Sequence, residues 1–153
     1  MTADILSSLS LEAFAVRHLC IDVQGEIDGD THEAVVGLSY EFFEHEAADN
    51  KFRIKLKVGA RGGEADTPLF TVDVTADAFV EVPKGASEDE KTVLLTNGVA
   101  LLYSTLRGSL AGVLGQTPIR GFVLPAIDMN KVVRELAAEE SENESAAAEP
   151  AAE

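Results

Sequence analysis

The chain has 153 residues, 46% of them hydrophobic, and a formal charge of −15. A chain of this length forms one domain and can take roughly two thirds of its unfolded surface out of water. The acidic balance excludes nucleic acid and anionic membranes as partners, because both need clustered Lys and Arg. The single cysteine, Cys20, excludes an intrachain disulfide and a Cys-based zinc site.

The opening MTADILSS lacks a basic stretch followed by a long apolar one, so no secretory signal is expected. No apolar run approaches the ~20 residues that span a bilayer. Membrane insertion is therefore not expected, and a cytoplasmic protein is the simplest expectation.

Phe14 to Val23 alternates in character but changes phase between Val16 and Leu19, which predicts a strand with a bulge. Asp28-Gly29-Asp30 reads as the turn or crossover behind it. A second strand, Ala34 to Phe43, has Ala34, Val36, Leu38, Tyr40 and Phe42 in phase. The clearest strand is Lys51 to Ala60, with Phe52, Ile54, Leu56 and Val58 on one face and Lys51, Arg53, Lys55 and Lys57 on the other. That period of two belongs to an antiparallel sheet with one buried and one wet face. Gly59 to Asp66, with Gly62-Gly63, reads as the hairpin loop that follows. Leu69 to Val82 is the fourth strand, burying Phe70, Val72 and Val74 and exposing Thr71, Asp73 and Thr75.

Ser87-Glu88-Asp89-Glu90 is a capping box, in which the Ser87 hydroxyl accepts from the Glu90 amide while the Glu90 carboxylate reaches back. The helix it opens carries Leu95, Val99, Leu102, Leu106, Leu110 and Val113 at spacings of three and four, an apolar stripe. Gly98, Gly108 and Gly112 lie in the same helix, each costing roughly 1 kcal/mol relative to Ala. That concentration points to close contact with another helix. After Gly115-Gln116-Thr117-Pro118, Asp128 is placed to cap a last helix through about Ala138. From Glu139 onward the chain is Glu, Ser and Ala with Pro150, composition of a disordered acidic tail. The domain therefore spans residues 1–138 and the tail 139–153. Four strands followed by helices make an α+β fold: a four-stranded antiparallel sheet, a long helix and a short C-terminal helix.

The stretch LLYSTLRG (Leu101 to Gly108) and the later FVLPAIDM (Phe122 to Met129) resemble the SecB family of protein-export chaperones. The family's helix ends in Leu-Tyr-Pro-Tyr-x-Arg and is followed by a segment of the type Leu-x-Pro-x-Asn-Phe. Leu102, Tyr103 and Arg107 match the first pattern, from which Ser104 and Thr105 depart in place of Pro-Tyr; Leu124, Pro125, Ile127, Asp128 and Met129 approximate the second. The resemblance runs from about Leu11 to Ala138. It implies an ATP-independent holdase, without cofactor or enzymatic activity, that assembles as a homotetramer and holds unfolded polypeptides in apolar grooves between sheet, long helix and Pro-containing loop. By that resemblance Phe42, Phe43, Phe79, Leu101, Tyr103, Phe122 and Leu124 are expected to line the groove, with core packing as the plain alternative for each. It also implies docking on the SecA translocation motor through an acidic sheet patch, to which Asp73 would contribute. The first strand offers only Asp22 and Gln24 there, and the crossover from Gly25 to Thr31 lacks the family's aromatics. Relatives of this type also serve antitoxins of toxin-antitoxin modules. Gly108 and Gly112 are the expected helix contacts of the oligomer.

Other residues carry groups capable of chemistry. His18, His32 and His45 form no i, i+4 pair, and Glu44-His45-Glu46 alternates across a strand, so a metal site is not expected. Cys20 with His18 on the same face could act as nucleophile and base, although a buried or half-buried thiol is the commoner case. No phosphate-binding loop, nucleophile elbow or dinucleotide fingerprint is present, and Asn143-Glu144-Ser145 fits a glycosylation acceptor by pattern only. Lys51, Arg53, Lys55, Lys57 and Arg61 hold five of the 12 Lys and Arg residues; they read as a solvated face pairing with acids such as Asp73, or as a docking face. Phe42 and Phe43 must point to opposite sides of their strand, and Phe79 falls on the face of Asp73, Asp77 and Glu81, which marks a contact surface. The rival to a holdase is a small-ligand carrier or enzyme with a pocket under the long helix, where Cys20, His18 and Tyr103 would have to converge; a structural adaptor binding one folded partner is a third reading.

Overall fold

The structure of the chain, a computed structural model, describes residues 8–24, 27, 34–64, 66–119, 121–135 and 138. The opening residues, the turn assigned to Asp28-Gly29-Asp30, His32 and the acidic segment 139–153 with its Asn143 pattern lie outside the described residues.

Strands β1 (Ser10–Val23), β2 (Ala34–His45), β3 (Ala48–Gly63) and β4 (Pro68–Glu81) precede helix α1 (Glu88–Leu114). They form one sheet in the order β1-β4-β3-β2, every pair antiparallel. Residues 129–135 form a short helix, α2, whose first amides at Asn130 and Lys131 are accepted by the Asp128 carboxylate. The α+β architecture expected from the alternation is the one observed.

Helix α1 lies chiefly over the central strands β3 and β4. Those strands present Ile54, Leu56, Val58 and Ala60, and Val72, Val74, Ala76, Ala78 and Val80, to Leu95, Val99, Leu102, Leu106 and Leu110 of the helix, all buried. The capping box forms as written in the sequence: Ser87 Oγ accepts from the Glu90 amide at 3.3 Å and the Glu90 carboxylate accepts from the Ser87 amide at 2.8 Å. The Ser87 amide, and the Ser87 hydroxyl that also donates to the carboxylate at 3.0 Å, hold the Glu90 carboxyl below its ordinary value.

The structure corrects four local expectations. β3 does not stop at Ala60; it continues to Gly63, and β4 begins at Pro68. The glycines there serve packing as well as turning: a Cβ on Gly62 would fall 2.1 Å from Phe70 Cε1, and only Gly63, at φ +91, takes a turn conformation. β1 carries two register shifts, at Leu11/Ala13 and Val16/His18, where one was expected. At the end of α1 Val113 is exposed and Leu114 buried, the reverse of the projected stripe. Finally, Gly98 contacts the sheet and not a helix, since a Cβ there would sit 2.6 Å from Ile54 Cδ1.

Candidate functional site

The sheet is wider than the helix that covers it. On the helix-facing side, β1 contributes Leu11, Val16 and Leu19, and β2 contributes Phe42, all about two fifths exposed at 38%, 42%, 38% and 38%. Phe14, Ile21 and Val23 on β1, and Val36, Leu38 and Tyr40 on β2, lie half-buried beside them. Two apolar strips thus run along the outer strands, where α1 leaves them uncovered. Tyr40 and Phe42 add a ring pair with centroids 5.3 Å apart. The β1 strip escaped sequence reading because alternation assigns a face but not the reach of the helix over it; the signal was the edge position of β1, which strand order alone reveals.

One flank of α1 is closed by the segment after it. Tyr103 donates its hydroxyl to the Pro125 carbonyl at 2.7 Å, and Arg107 Nε donates to the Leu124 carbonyl. Phe122 packs on Phe70 with ring centroids 5.1 Å apart, and Leu124 is fully buried. Burial raises the Tyr103 hydroxyl above its ordinary pKa of 10.0, with the Arg107 charge partly opposing. Tyr103, Phe122 and Leu124 therefore belong to the core, as wall and floor beneath the surface, whereas Leu101 stands exposed on the helix.

Phe43 and Phe79 cannot share a groove with Phe42. Strand alternation puts them on the opposite, open side of the sheet, flanking Arg53 in one row across β2, β3 and β4. Arg53 stacks on the Phe43 ring at 4.3 Å from its centroid, and its Nε is buried with no hydrogen-bond partner among the described residues. The rest of the basic stripe is partly paired: Lys51 with Glu12 at 2.8 Å and Glu81 at 3.5 Å, Lys55 with Glu41 at 3.7 Å. The hydrogen bond to Glu12 raises the Lys51 pKa. Asp73 is in none of these pairs; it faces Gly59 across the sheet. Arg17, the residue pushed out by the second β1 bulge, reaches Asp77 at 2.9 Å and accounts for a carboxylate that is almost fully buried on an otherwise wet face. Nothing in the spacing announced that pair.

The residues weighed for catalysis do not meet. Cys20 and His18 lie on the open face of β1, opposite Asp73 and Thr75, while Tyr103 is on the helix side of the sheet. Cys20 is also exposed, not buried, because β1 is an edge strand. His45 Nδ1 accepts from the Ala47 amide at the β2–β3 turn, and no cluster of three metal-ligating side chains occurs among the described residues. Gly108 and Gly112 face open space on α1. No helix among the described residues is long and apolar enough to cross a membrane.

No protein-family model matches the chain, and no curated protein matches it in sequence. Among solved structures it is similar to the Mycobacterium tuberculosis SecB-like chaperone Rv1957, solved with a ChAD peptide from the HigA1 antitoxin Rv1956. The TM-score is 0.64 at 13% identity, over 79% of this chain and 91% of that one. A protein of unknown function from Streptococcus agalactiae superposes with a TM-score of 0.44 at 14% identity, over 76% of this chain and 96% of that one. The Mycobacterium neighbour is matched over nearly its whole length, and the fold of this chain is SecB-like.

Proposed function

We propose that the chain is a molecular chaperone that holds non-native polypeptides, without nucleotide or cofactor, in the apolar strips beside α1. The observation that carries this reading is the pair of uncovered strips on the helix-facing side of β1 and β2. Apolar surface so arranged favours extended apolar segments of any sequence and offers no converging polar groups for catalysis. A strip that buries ~400 Å² of client contributes on the order of 10 kcal/mol gross at ~25 cal/mol/Å². Association costs about 4 to 15 kcal/mol, so one strip binds marginally and several linked strips bind well. A homotetramer, with Gly108 and Gly112 at helix contacts, supplies that linkage. Leu101, Phe42 and the β1 strip are the contacts offered to clients, with Tyr103, Phe122 and Leu124 fixing the wall behind them.

Service to an antitoxin is supported by the neighbour solved with an antitoxin peptide. Export through SecA, in the cytoplasm, is the alternative, and it has less support because Asp73 sits between Lys57 and Arg61 and not in an acidic patch. The test is suppression of aggregation of an unfolded client at near-stoichiometric ratio without nucleotide, with light scattering reporting the protein's own mass. Suppression that is lost in Leu19→Ser/Phe42→Ser supports the reading. A folded protein that leaves aggregation unchanged excludes it.

A further inference from the structure

Two glycines stand side by side on the open face of the sheet, away from the apolar strips. Gly37 of β2 pairs with Gly59 of β3, and the row continues to Asp73 of β4 and Cys20 of β1. Glycine inside a strand weakens it and calls for an explanation in φ or in the close approach of another group. Neither residue has a positive φ. A Cβ on Gly37 would meet nothing within 4 Å, and one on Gly59 would only touch Asp73 Oδ1 at 3.4 Å. Sheets commonly compensate a glycine by laying a neighbouring aromatic ring across it, and here no ring of the described residues does so.

The bare backbone floors a shallow hollow of about 410 Å³ bordered by Ser39, Lys57 and Thr75, with the Asp73 carboxylate at its β4 end. It runs, past the same Asp73, into a second of about 240 Å³ bordered by Val35, Arg61 and Thr71. Lys57 and Arg61 flank the glycine row, ~13 Å apart at ~3.3 Å per residue. Both are exposed, and neither joins an ion pair among the described residues, whereas Arg17, Lys51 and Lys55 on the same face are paired. Half of the chain's 12 Lys and Arg residues project from this one face.

We propose that this hollow is the docking surface for a separate polypeptide that presents an aromatic side chain flanked by carboxylates. The ring lies on the Gly37–Gly59 backbone, and the carboxylates pair with Lys57 and Arg61 on either side of it. Lys57 and Arg61 outnumber Asp73, the carboxylate that lines the hollow, so on a chain of charge −15 an acidic partner is repelled elsewhere and oriented here with its ring on the β2–β3 side, which is how charge patterns select one docking geometry. The surface is on the opposite side of the sheet from the proposed client strips, so both can be occupied together.

The test uses the full isotope-labelled chain and a synthetic peptide with one phenylalanine between two pairs of glutamates, followed by amide chemical shifts. Gly37, Lys57, Gly59 and Arg61 should move while the β1 strip does not. Affinity should fall about tenfold in Lys57→Glu/Arg61→Glu, an exposed pair whose reversal leaves folding intact. Gly37→Val should stay folded, melt higher because valine suits a strand, and abolish the shifts. Shifts confined to the apolar strips, shifts indifferent to charge reversal, or no shifts at millimolar peptide overturn the proposal. So do two alternative occupants: removal of residues 139–153 moving the same amides would assign the hollow to the chain's own acidic segment, and a change of assembly mass in the charge-reversed variant would assign it to a second copy.

Discussion

Tyr103 and Arg107, one helical turn apart on α1, hold the carbonyls of two consecutive residues, Pro125 and Leu124. The spacing that puts i and i+4 on one helix face thus becomes a clamp on an extended segment with no strand of its own to pair with. Phe122 and Leu124 are buried by that segment, so the clamp keeps part of the core in place. Tyr103→Phe keeps the ring and deletes one bond; it should cost about 1 kcal/mol, read by urea unfolding. Arg107→Ala should cost more, because the Leu124 carbonyl loses a charged donor. In both variants hydrogen exchange should quicken at residues 122–127 before it does in β3.

The same tyrosine predicts behaviour at alkaline pH. Its proton is held more tightly in the folded chain than in the unfolded one, because burial disfavours the phenolate. The contribution to stability is therefore fully present below the ordinary value of 10.0 and is lost as pH rises through the higher folded value. With Tyr40→Phe as background only Tyr103 can report. Its phenolate absorbance should rise with a midpoint above 10.0 and coincide with loss of the clamp. A midpoint at or below that value would contradict the assigned burial.

Arg17 and Asp77 form a second pair whose removal is asymmetric. Asp77 is 4% exposed while Arg17 is largely in solvent, so Arg17→Ala strands a buried carboxylate and Asp77→Ala strands only an exposed cation. The first should destabilise by about 1 to 3 kcal/mol and the second by less, with the double variant close to Asp77→Ala. Thermal unfolding of the three variants checks the ordering. Equal losses in both single variants would show that the pair is worth its packing and not its charge.

How much of this was legible in the residues differs with the physics involved. The sheet was readable because Phe52, Ile54, Leu56 and Val58 alternate strictly with cations, and α1 because Ser87 and Glu90 form a box that nothing but a helix start satisfies. Phase alone could assign Phe42 and Phe43 to opposite faces. It could not tell which edge of the sheet the helix leaves bare, because that depends on strand order, a non-local property; this is why Leu11, Val16 and Leu19 were missed. The family resemblance, and not phase, grouped Phe43 and Phe79 with Phe42 in one groove, and the register puts them on the other side of the sheet. Gly59 and Gly62 read as part of a turn and Gly98 as a helix contact, yet Gly62 makes room for Phe70, Gly98 for Ile54, and Gly59, with Gly37 beside it, for no ring of the described residues.

The client strips make a prediction that separates holding from folding. Leu19→Ser and Phe42→Ser remove side chains already about two fifths in water, so each should cost only about 1 to 2 kcal/mol. Client holding should nonetheless fall several-fold in the double variant. Leu106→Ser, in the buried stripe, should instead unfold the protein. Urea titration beside the aggregation assay gives both readings on the same sample.

Gly108 and Gly112 separate the fold from its assembly. Both face open space on α1, where a Cβ would meet nothing within 4 Å among the described residues. Replacing either by leucine should then stabilise the single chain by roughly 0.5 to 1 kcal/mol through helix propensity. If these glycines are where helices of different copies meet, the same substitution places a leucine in a contact sized for a hydrogen atom and should lower the mass in solution. The two effects have opposite signs, which removes misfolding as an explanation: a variant that resists urea better but sediments as a smaller species places the assembly contact on this face of α1. A variant that is more stable with unchanged mass means the face is free in solution, and the avidity argued for client holding must come from another contact.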